Sequence, residues 1–178
     1  MQAFGPHNAT AEVLTFKEGF LSPIAHDLRI QVQQFEVEVE DGEVRGDFDL
    51  SSLVVISAQK DGVDEPGAIR ADEKKKILIT IQKDVLHTQR YPDAHFTTNL
   101  NDLEDGVVEG ELELHGETHD VRARIQEAPE GVRVSVDVRQ PDFGIKPYTA
   151  MFGTLRVRED VIIEAFLKGV TLEDLGLS

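Results

Sequence analysis

Alternation of apolar and charged side chains is the strongest pattern in this sequence. In the run 35–40, Phe35, Val37 and Val39 alternate with three glutamates. Successive side chains of a β-strand point to opposite faces, so this spacing predicts strands with one buried and one solvated face. The pattern recurs in the runs 10–17, 44–50, 96–100, 108–114, 121–125, 132–138 and 161–167. The chain must therefore fold so that one face of a sheet is buried.

Short turn sequences separate these runs. Asp41-Gly42 and Asp105-Gly106 suit the positive-φ positions of tight hairpin turns. Further turns are predicted at 115–118 and 129–131, and 155–157 is predicted to pair with 161–167 as a last hairpin. A meander of about eight short strands closes most simply into a barrel, because closure removes unpaired edges. A two-sheet sandwich would satisfy the same alternation.

Two helices are predicted to accompany the strands. Between 71 and 86 the apolar residues follow a 3.6-residue spacing, which is typical of a helix with one packed face. The run Lys74–Lys76 is interpreted as the solvated face of this helix, and an anion contact is the alternative. Near the C-terminus, Thr171 and Asp174 have the spacing of a capping pair, which predicts a short helix flanking one end of the fold.

Composition limits the function. The chain has 178 residues, which suits one domain, and a formal net charge of −16, which disfavours binding to nucleic-acid phosphates. It has no cysteine, so disulfides, thiolate metal sites and cysteine nucleophiles are excluded. No apolar run approaches the length of a membrane-spanning helix. The first ten residues lack a secretory pattern, so a cytoplasmic protein is expected.

Five separated blocks carry a likeness to a known family. They are Ala25-His26-Asp27, Gly46-Asp47-Phe48, 91–96, 110–118 and 139–145. In this order and spacing the chain resembles the YceI-like polyisoprenoid-binding proteins over about 10–168. The resemblance implies an eight-stranded, antiparallel, lipocalin-like barrel in a single domain spanning 1–178. It also implies a pore that holds an isoprenoid chain, such as a polyprenyl phosphate or a quinone. Many members carry an export signal, so a periplasmic location is the family alternative.

A ligand cavity requires small side chains on the inward faces of the strands. Small residues at such positions are Val44, Gly46, Gly110, Ala123, Val134, Val136 and Ala165. We therefore expect a cavity that binds, transports or stores a long apolar ligand, with a fully packed core as the alternative. Pattern and resemblance together give these predicted ligand-binding residues: Phe16, His26, Phe35, Phe48, Phe96, Leu112, Val134, Val136, Arg139, Phe143, Tyr148 and Phe152.

The irregular blocks supply candidates for contacts at the mouth of the pore. Loops that meet strand ends commonly carry binding residues. The candidates are His26, Asp27, Arg29, Arg139, Asp142 and Tyr148. The alternative interpretation is that His26 and Asp142 only fix turns through hydrogen bonds to the backbone.

Other classes of function remain as alternatives. His115 and His119, with Glu113 and Glu117 nearby, could form a metal site of a binding protein or enzyme, although they fall across a predicted turn. The acidic outer faces could also dock a basic partner. The sequence lacks a nucleophile elbow and a phosphate-cradling glycine loop, so neither an enzyme nor a cofactor is expected. The expected partner is an isoprenoid-type lipid, and a homodimer is possible.

Overall fold

The structure, a computed structural model, describes residues 1–18 and 26–177. Ala25, in the first of the five blocks, lies outside the described residues. The described strands are β1 Gln2–Phe4, β2 Ala9–Thr15, β3 Lys17–Glu18, β4 Asp27–Val32, β5 Phe35–Glu40, β6 Glu43–Asp49, β7 Leu53–Lys60, β8 Val63–Glu65, β9 Asp93–Asn99, β10 Val107–Leu114, β11 Glu117–Ala128, β12 Gly131–Arg139, β13 Thr149–Ala150, β14 Leu155–Val157 and β15 Asp160–Lys168.

Twelve of these strands form one antiparallel sheet, in the order β1-β5-β6-β9-β10-β11-β12-β15-β2-β4-β7-β8. The predicted class, a mainly β lipocalin-like fold with antiparallel pairing, is confirmed. The turns follow the prediction as well, since Asp41 and Gly42 have φ angles of 53° and 87°, and Asp105 and Gly106 have φ angles of 51° and 77°. Both dipeptides occupy the left-handed region that tight hairpin turns require.

The main sheet wraps around its interior by means of one long bent hairpin. Its first arm is β4 followed by β5, and its second arm is β6 followed by β7. Between the pairs Val32–Leu53 and Phe35–Phe48, two residues of the first arm face four of the second. The extra residues form the 3-10 turn Leu50–Ser52, where the Ser52 hydroxyl accepts hydrogen bonds from the backbone N–H groups of residues 33 and 34. This mismatch bends the hairpin.

The bend places the two halves of the hairpin at opposite ends of the strand order. β5 and β6 lie near one end, and β4 and β7 lie near the other. The ladder itself does not close strand by strand, because β1 and β8 remain as its edges. The fold therefore wraps as the lipocalin-like prediction requires, but continuity of the chain through the bend takes the place of a closing ladder.

The last predicted hairpin is wrong. β15 pairs with β12 and β2, whereas β14 joins β13 and β3 in a separate three-stranded sheet. Neither Arg158 nor Glu159 between them has the positive φ that a tight two-residue hairpin needs. Instead the N–H of Arg158 donates to the carbonyl of Phe16, 2.8 Å away, which continues the small sheet alongside β3.

The predicted helix over 71–86 is present. It consists of α1, Ala71–Thr80, followed by a π-helical turn at Ile81–Val85. The Glu73 carboxylate accepts the N–H of Arg70, which satisfies a donor at the helix start. Lys74 departs from the predicted solvated face, because its Nζ is half-buried and donates to the carbonyl of Ile56 on β7, 2.6 Å away. This bond fastens the helix to the sheet.

The C-terminal segment covers one end of the wrapped sheet. Thr171 and Asp174 form the predicted reciprocal pair, with the Thr171 N–H donating to the Asp174 carboxylate and the Asp174 N–H donating to the Thr171 hydroxyl. The helix that follows is only the 3-10 turn Glu173–Leu175. Leu175 and Leu177 are buried in the main apolar cluster. In the described residues, no helix has the length and apolar character needed to cross a membrane.

Candidate functional site

An apolar cavity of about 520 Å³ lies between the wrapped sheet and the helix. Volumes of roughly 300–1,000 Å³ are typical of small-molecule sites. Eight strands of the main sheet contribute to its wall, namely β2, β4, β6, β7, β9, β10, β12 and β15, and the helix contributes another side. Representative lining residues are Ala11, Ile30, Leu112, Val136 and Ile163 from the strands and Ile77, Ile81 and Val85 from the helical segment.

The wall formed by β12 and β15 shows how alternation builds the cavity. Three cross-strand pairs, Val134–Ala165, Val136–Ile163 and Val138–Val161, all line it. Intervening residues on β12, such as Arg133 and Asp137, point outward and are exposed. Val134, Ile163 and Ala165 are only half-buried although they face inward. They border empty space instead of other side chains.

Two inward glycines do not contribute to this space. A Cβ atom on Gly110 would lie 2.7 Å from the Phe96 ring, and one on Gly46 would lie 2.8 Å from the Phe48 ring. Each ring therefore lies over a glycine, and the rings of Phe48 and Phe96 line the cavity in their place. Val44 and Ala123 also lie outside the lining, with Ala123 buried in the core. Of the seven small residues expected to leave room, Val134, Val136 and Ala165 do so.

Polar side chains also line part of the cavity. We use the term mouth for six of the exposed or half-exposed polar lining residues, Lys17, His26, Lys76, Thr80, Tyr148 and Arg156, and Glu12 and Thr15 on β2 are half-exposed lining residues as well. Lys76 and Thr80 belong to α1, whereas Lys17 and Arg156 belong to the paired strands β3 and β14. His26 immediately precedes β4. The mouth is thus assembled from the helix, the small sheet and the start of the hairpin.

Seven of the twelve predicted ligand-binding residues line the cavity. They are His26, Phe48, Phe96, Leu112, Val134, Val136 and Tyr148. The structure brings these residues together from four different strands and two loops. Their contact with a ligand stays a prediction.

Five predicted residues lie outside the lining. The guanidinium carbon of Arg158 lies over the Phe16 ring, 5.8 Å from the centroid of that ring. Phe35 stacks on Phe48 behind the cavity wall. The exposed Arg139 side chain donates to Asp142 and Glu159. Phe143 is 2% exposed within the core, and Phe152 is fully exposed in the loop after β13. A role of these five in ligand binding also stays a prediction.

The remaining mouth candidates make structural bonds. The Asp27 carboxylate accepts the N–H of Lys17, 2.7 Å away. Arg29 donates to Glu12 at 2.8 Å and to Asp64 at 2.5 Å. The hydrogen bond from Arg29 lowers the pKa of Asp64 below its ordinary value. This three-residue network joins β2, β4 and β8.

Sequence reasoning missed the contribution of α1 to the site. Lys76, Ile77, Thr80 and Ile81 line the cavity, but the 3.6-residue spacing of the helix predicted only that it packs on something. The lysine run was interpreted mainly as a solvated face. Its anion-contact alternative was the signal that pointed toward Lys76. Arg156 was also missed, because β14 was expected in the main sheet.

The two histidines of the metal hypothesis are held differently. The His115 Nδ1 lies 3.1 Å from the Phe143 carbonyl, and its Nε2 lies 3.0 Å from Nδ1 of His87. His119 packs edge-on against the Phe143 ring. Burial lowers the pKa of His115. Within residues 1–18 and 26–177, no three His, Asp or Glu side chains are grouped as metal ligands.

Comparisons with known proteins agree with this architecture. The sequence model of the YceI-like domain matches residues 13–168. A polyisoprenoid-binding domain from Saccharophagus degradans has a similar structure, with a TM-score of 0.55, 13% identity, and coverage of 93% of this chain and 97% of that domain. BcnA from Burkholderia cenocepacia gives a TM-score of 0.54 at 15% identity, covering 89% of this chain and 94% of BcnA. No curated protein matches this sequence.

Proposed function

This chain belongs to the YceI-like domain family, and we propose that it binds a long apolar ligand in the cavity between its sheet and its helix. One observation carries the proposal. The inward faces of β12 and β15 line a space of about 520 Å³ that no side chain of the described residues fills. A packed core would have placed larger residues at Val134 and Ala165.

The energetics favour a hydrocarbon chain as the occupant. Apolar cavities do not retain water well, because water there lacks hydrogen-bond partners. Each methylene group transferred from water into such a site gains about 0.8 kcal/mol. A chain of several isoprene units therefore gains enough from burial to bind without many polar contacts. The length of the chain then sets the affinity.

We further propose that the ligand is a polyisoprenoid or an isoprenoid quinone. The support is the shared family and the similar fold of the Saccharophagus degradans polyisoprenoid-binding domain. The same considerations favour storage or transport of the ligand over its chemical conversion. The wall of the cavity supplies branched aliphatic side chains, which match a methyl-branched chain in shape and polarity.

The test is native mass spectrometry after incubation with an isoprenoid quinone. The wild-type protein should retain one ligand per chain. Ala165→Phe puts a ring into the cavity and should lower the retained fraction by at least about tenfold, since several methylene contacts are lost. Ile162→Phe is the matched control, because residue 162 is on the same strand but outside the cavity lining.

The outcomes separate a binding site from unspecific adsorption. Loss of the ligand in Ala165→Phe with retention in Ile162→Phe supports the proposal. Equal retention by all three proteins places the ligand elsewhere and overturns it. Failure of the wild-type protein to retain any long-chain isoprenoid overturns it as well. A thermal-unfolding measurement on each variant verifies that the fold is intact.

A further inference from the structure

The mouth of the cavity is rich in cations although the chain is strongly acidic. The formal net charge is −16, with 34 acidic and 18 basic residues. Among the lining residues that the structure describes, this ratio is reversed, since Lys17, Lys76 and Arg156 are cationic and Glu12 is the one carboxylate. Glu12 is itself bound to Arg29 at 2.8 Å. The mouth therefore presents positive charge on a negatively charged protein.

Two of these cations, unlike five arginines elsewhere, are not neutralised by a carboxylate of the described residues. Arg29, Arg70, Arg124, Arg133 and Arg139 all form ion pairs with carboxylates. In the described part of the chain, Lys76 and Arg156 have no carboxylate within 4.0 Å. The Nε of Arg156 donates to the carbonyl of Gly153, which orients the guanidinium and leaves its charge uncompensated.

Nearby carboxylates are engaged by other groups. The Asp27 carboxylate accepts the backbone N–H of Lys17, and the Glu73 carboxylate accepts the N–H of Arg70. Glu18 lies opposite Arg156 in the small sheet and is exposed. These groups reduce the positive field at the mouth. Among the described residues they form no ion pair with Lys76 or Arg156, although the charge of Lys76 helps to lower the pKa of Glu73.

The three cations come from the helix and from the small sheet. Lys76 extends from α1, and Lys17 and Arg156 lie on the adjacent strands β3 and β14. Thr80 and Tyr148 add hydroxyl donors to the same cavity lining. A ligand whose chain fills the apolar interior would leave its head group among these donors. Phosphate and carboxylate groups are the partners that such a set recognises.

We propose that the mouth selects long-chain ligands with an acidic head group, a phosphate monoester or a carboxylate, over the corresponding neutral alcohols. This inference rests on the proposed binding function. The apolar chain supplies most of the affinity, and Lys17, Lys76 and Arg156 discriminate between head groups. Because the cations are exposed, their effect is reduced by salt.

The test compares matched ligands by isothermal titration calorimetry. Farnesyl phosphate is paired with farnesol, and hexadecanoate with hexadecanol. The acidic member of at least one pair should bind about tenfold more tightly at low ionic strength, as expected for hydrogen bonds between charged partners. Raising the salt to about 0.5 M should reduce this preference, because the screening length shortens to a few ångströms.

Charge-reversal variants locate the effect. Lys76→Glu and Arg156→Glu should each weaken binding of the acidic ligand by about three- to tenfold and leave the alcohol unchanged. Lys75→Glu makes the same charge change at the next helix residue, which is exposed and outside the cavity lining. It should have a clearly smaller effect.

Failure of this inference is distinguishable from failure of the binding function. If alcohols and acids bind equally well, the head-group preference is overturned. If Ala165→Phe abolishes the binding of both, the proposed binding function remains intact. An equal loss in Lys75→Glu and Lys76→Glu would also overturn it, since the effect would then be general. If no chain binds at all, both proposals fail. If only the phosphate or only the carboxylate is preferred over its alcohol, that result identifies which acidic head group the mouth recognises.

Discussion

Nδ1 of His87 lies 3.0 Å from Nε2 of His115, so two histidine rings join the segment after the helix to the turn between β10 and β11. A carbonyl can only accept, so the His115 Nδ1 near the Phe143 carbonyl carries the proton. The neutral His115 ring then accepts at Nε2 from the N–H of His87. Tyr91 covers the same ring, with centroids 4.4 Å apart.

The His115 contact predicts a dependence of stability on pH. Burial is the largest cause that lowers the pKa of His115, and the charges of His87 and Arg90 act in the same direction. The hydrogen bond to Phe143 and the charge of Glu117 oppose the shift. With a native pKa below the unfolded value of about 6.5, the unfolded chain binds the proton first as the pH falls. His115 therefore stabilises the fold fully above that value and loses this contribution on acidification.

Two measurements check this dependence. In an NMR titration, the His115 ring should have a midpoint below about 6.5, and a midpoint at or above that value would contradict the account. In urea unfolding, His115→Gln should show a shallower loss of stability between pH 7.5 and pH 5.5 than the wild type. An unchanged slope would show that His115 does not carry the effect.

The contact between Gly116 and the Tyr91 ring predicts that a stable fold requires glycine at position 116. A Cβ atom there would lie 2.7 Å from the Tyr91 ring, and the residue has a φ of 78°. Gly116→Ala should destabilise by about 1 kcal/mol from backbone strain and by a further 1–3 kcal/mol from overpacking. Gly62→Ala is the matched control, because Gly62 has a φ of 77° and no atom within 4 Å of such a Cβ. Equal losses of unfolding free energy in the two variants would refute the contact.

The ring of Phe96 over Gly110 predicts energetic coupling between these two residues. Gly110→Ala would bring a Cβ within 2.7 Å of the ring and within 2.8 Å of the Thr97 carbonyl, and should cost about 1–3 kcal/mol, of which only the part due to the ring depends on Phe96. In Phe96→Leu the ring is absent, so adding Gly110→Ala should cost less than it does alone. A double-mutant cycle should give a coupling of about 1 kcal/mol. Strict additivity would mean that the ring does not occupy this position.

The bond between Arg29 and Asp64 predicts stability that is sensitive to acid. The hydrogen bond from Arg29 lowers the pKa of Asp64, with a smaller contribution from Gln59. A carboxylate with a depressed native pKa stabilises the fold above its unfolded value of about 3.9 and loses this effect as the pH falls through the native value. Asp64→Asn should therefore be less stable at pH 7, with the difference vanishing in acid. A difference that persists at low pH would assign the effect to packing.

The repeating part of the fold could be predicted from the sequence. Period-two alternation determines which face of a strand is buried, and the dipeptides Asp41-Gly42 and Asp105-Gly106 determine the geometry of the turns. Both effects are local, so strand faces and turns could be predicted from the sequence. The inward residues Val134 and Val136 followed from the same rule. Alternation cannot show which strands pair, however, and so β14 was assigned to the wrong sheet.

The site was less predictable because it depends on contacts between distant segments. Phe48 and Phe96 fill the space over Gly46 and Gly110, which no count of small residues reveals. Lys76 reaches the mouth only because the bond from Lys74 to Ile56 and the packing of α1 on β7 fix the helix. Arg156 reaches it only because β14 pairs with β3. Such positions follow from tertiary structure, and local pattern carries little information about them.

The most direct test is a crystal structure of the protein loaded with a long-chain isoprenoid that carries a phosphate. The account predicts continuous density for the chain between Val136, Ile163 and Leu112, with the phosphate near Lys76 and Arg156. Density for the chain on the outer surface, with the interior occupied by rearranged side chains, would contradict it.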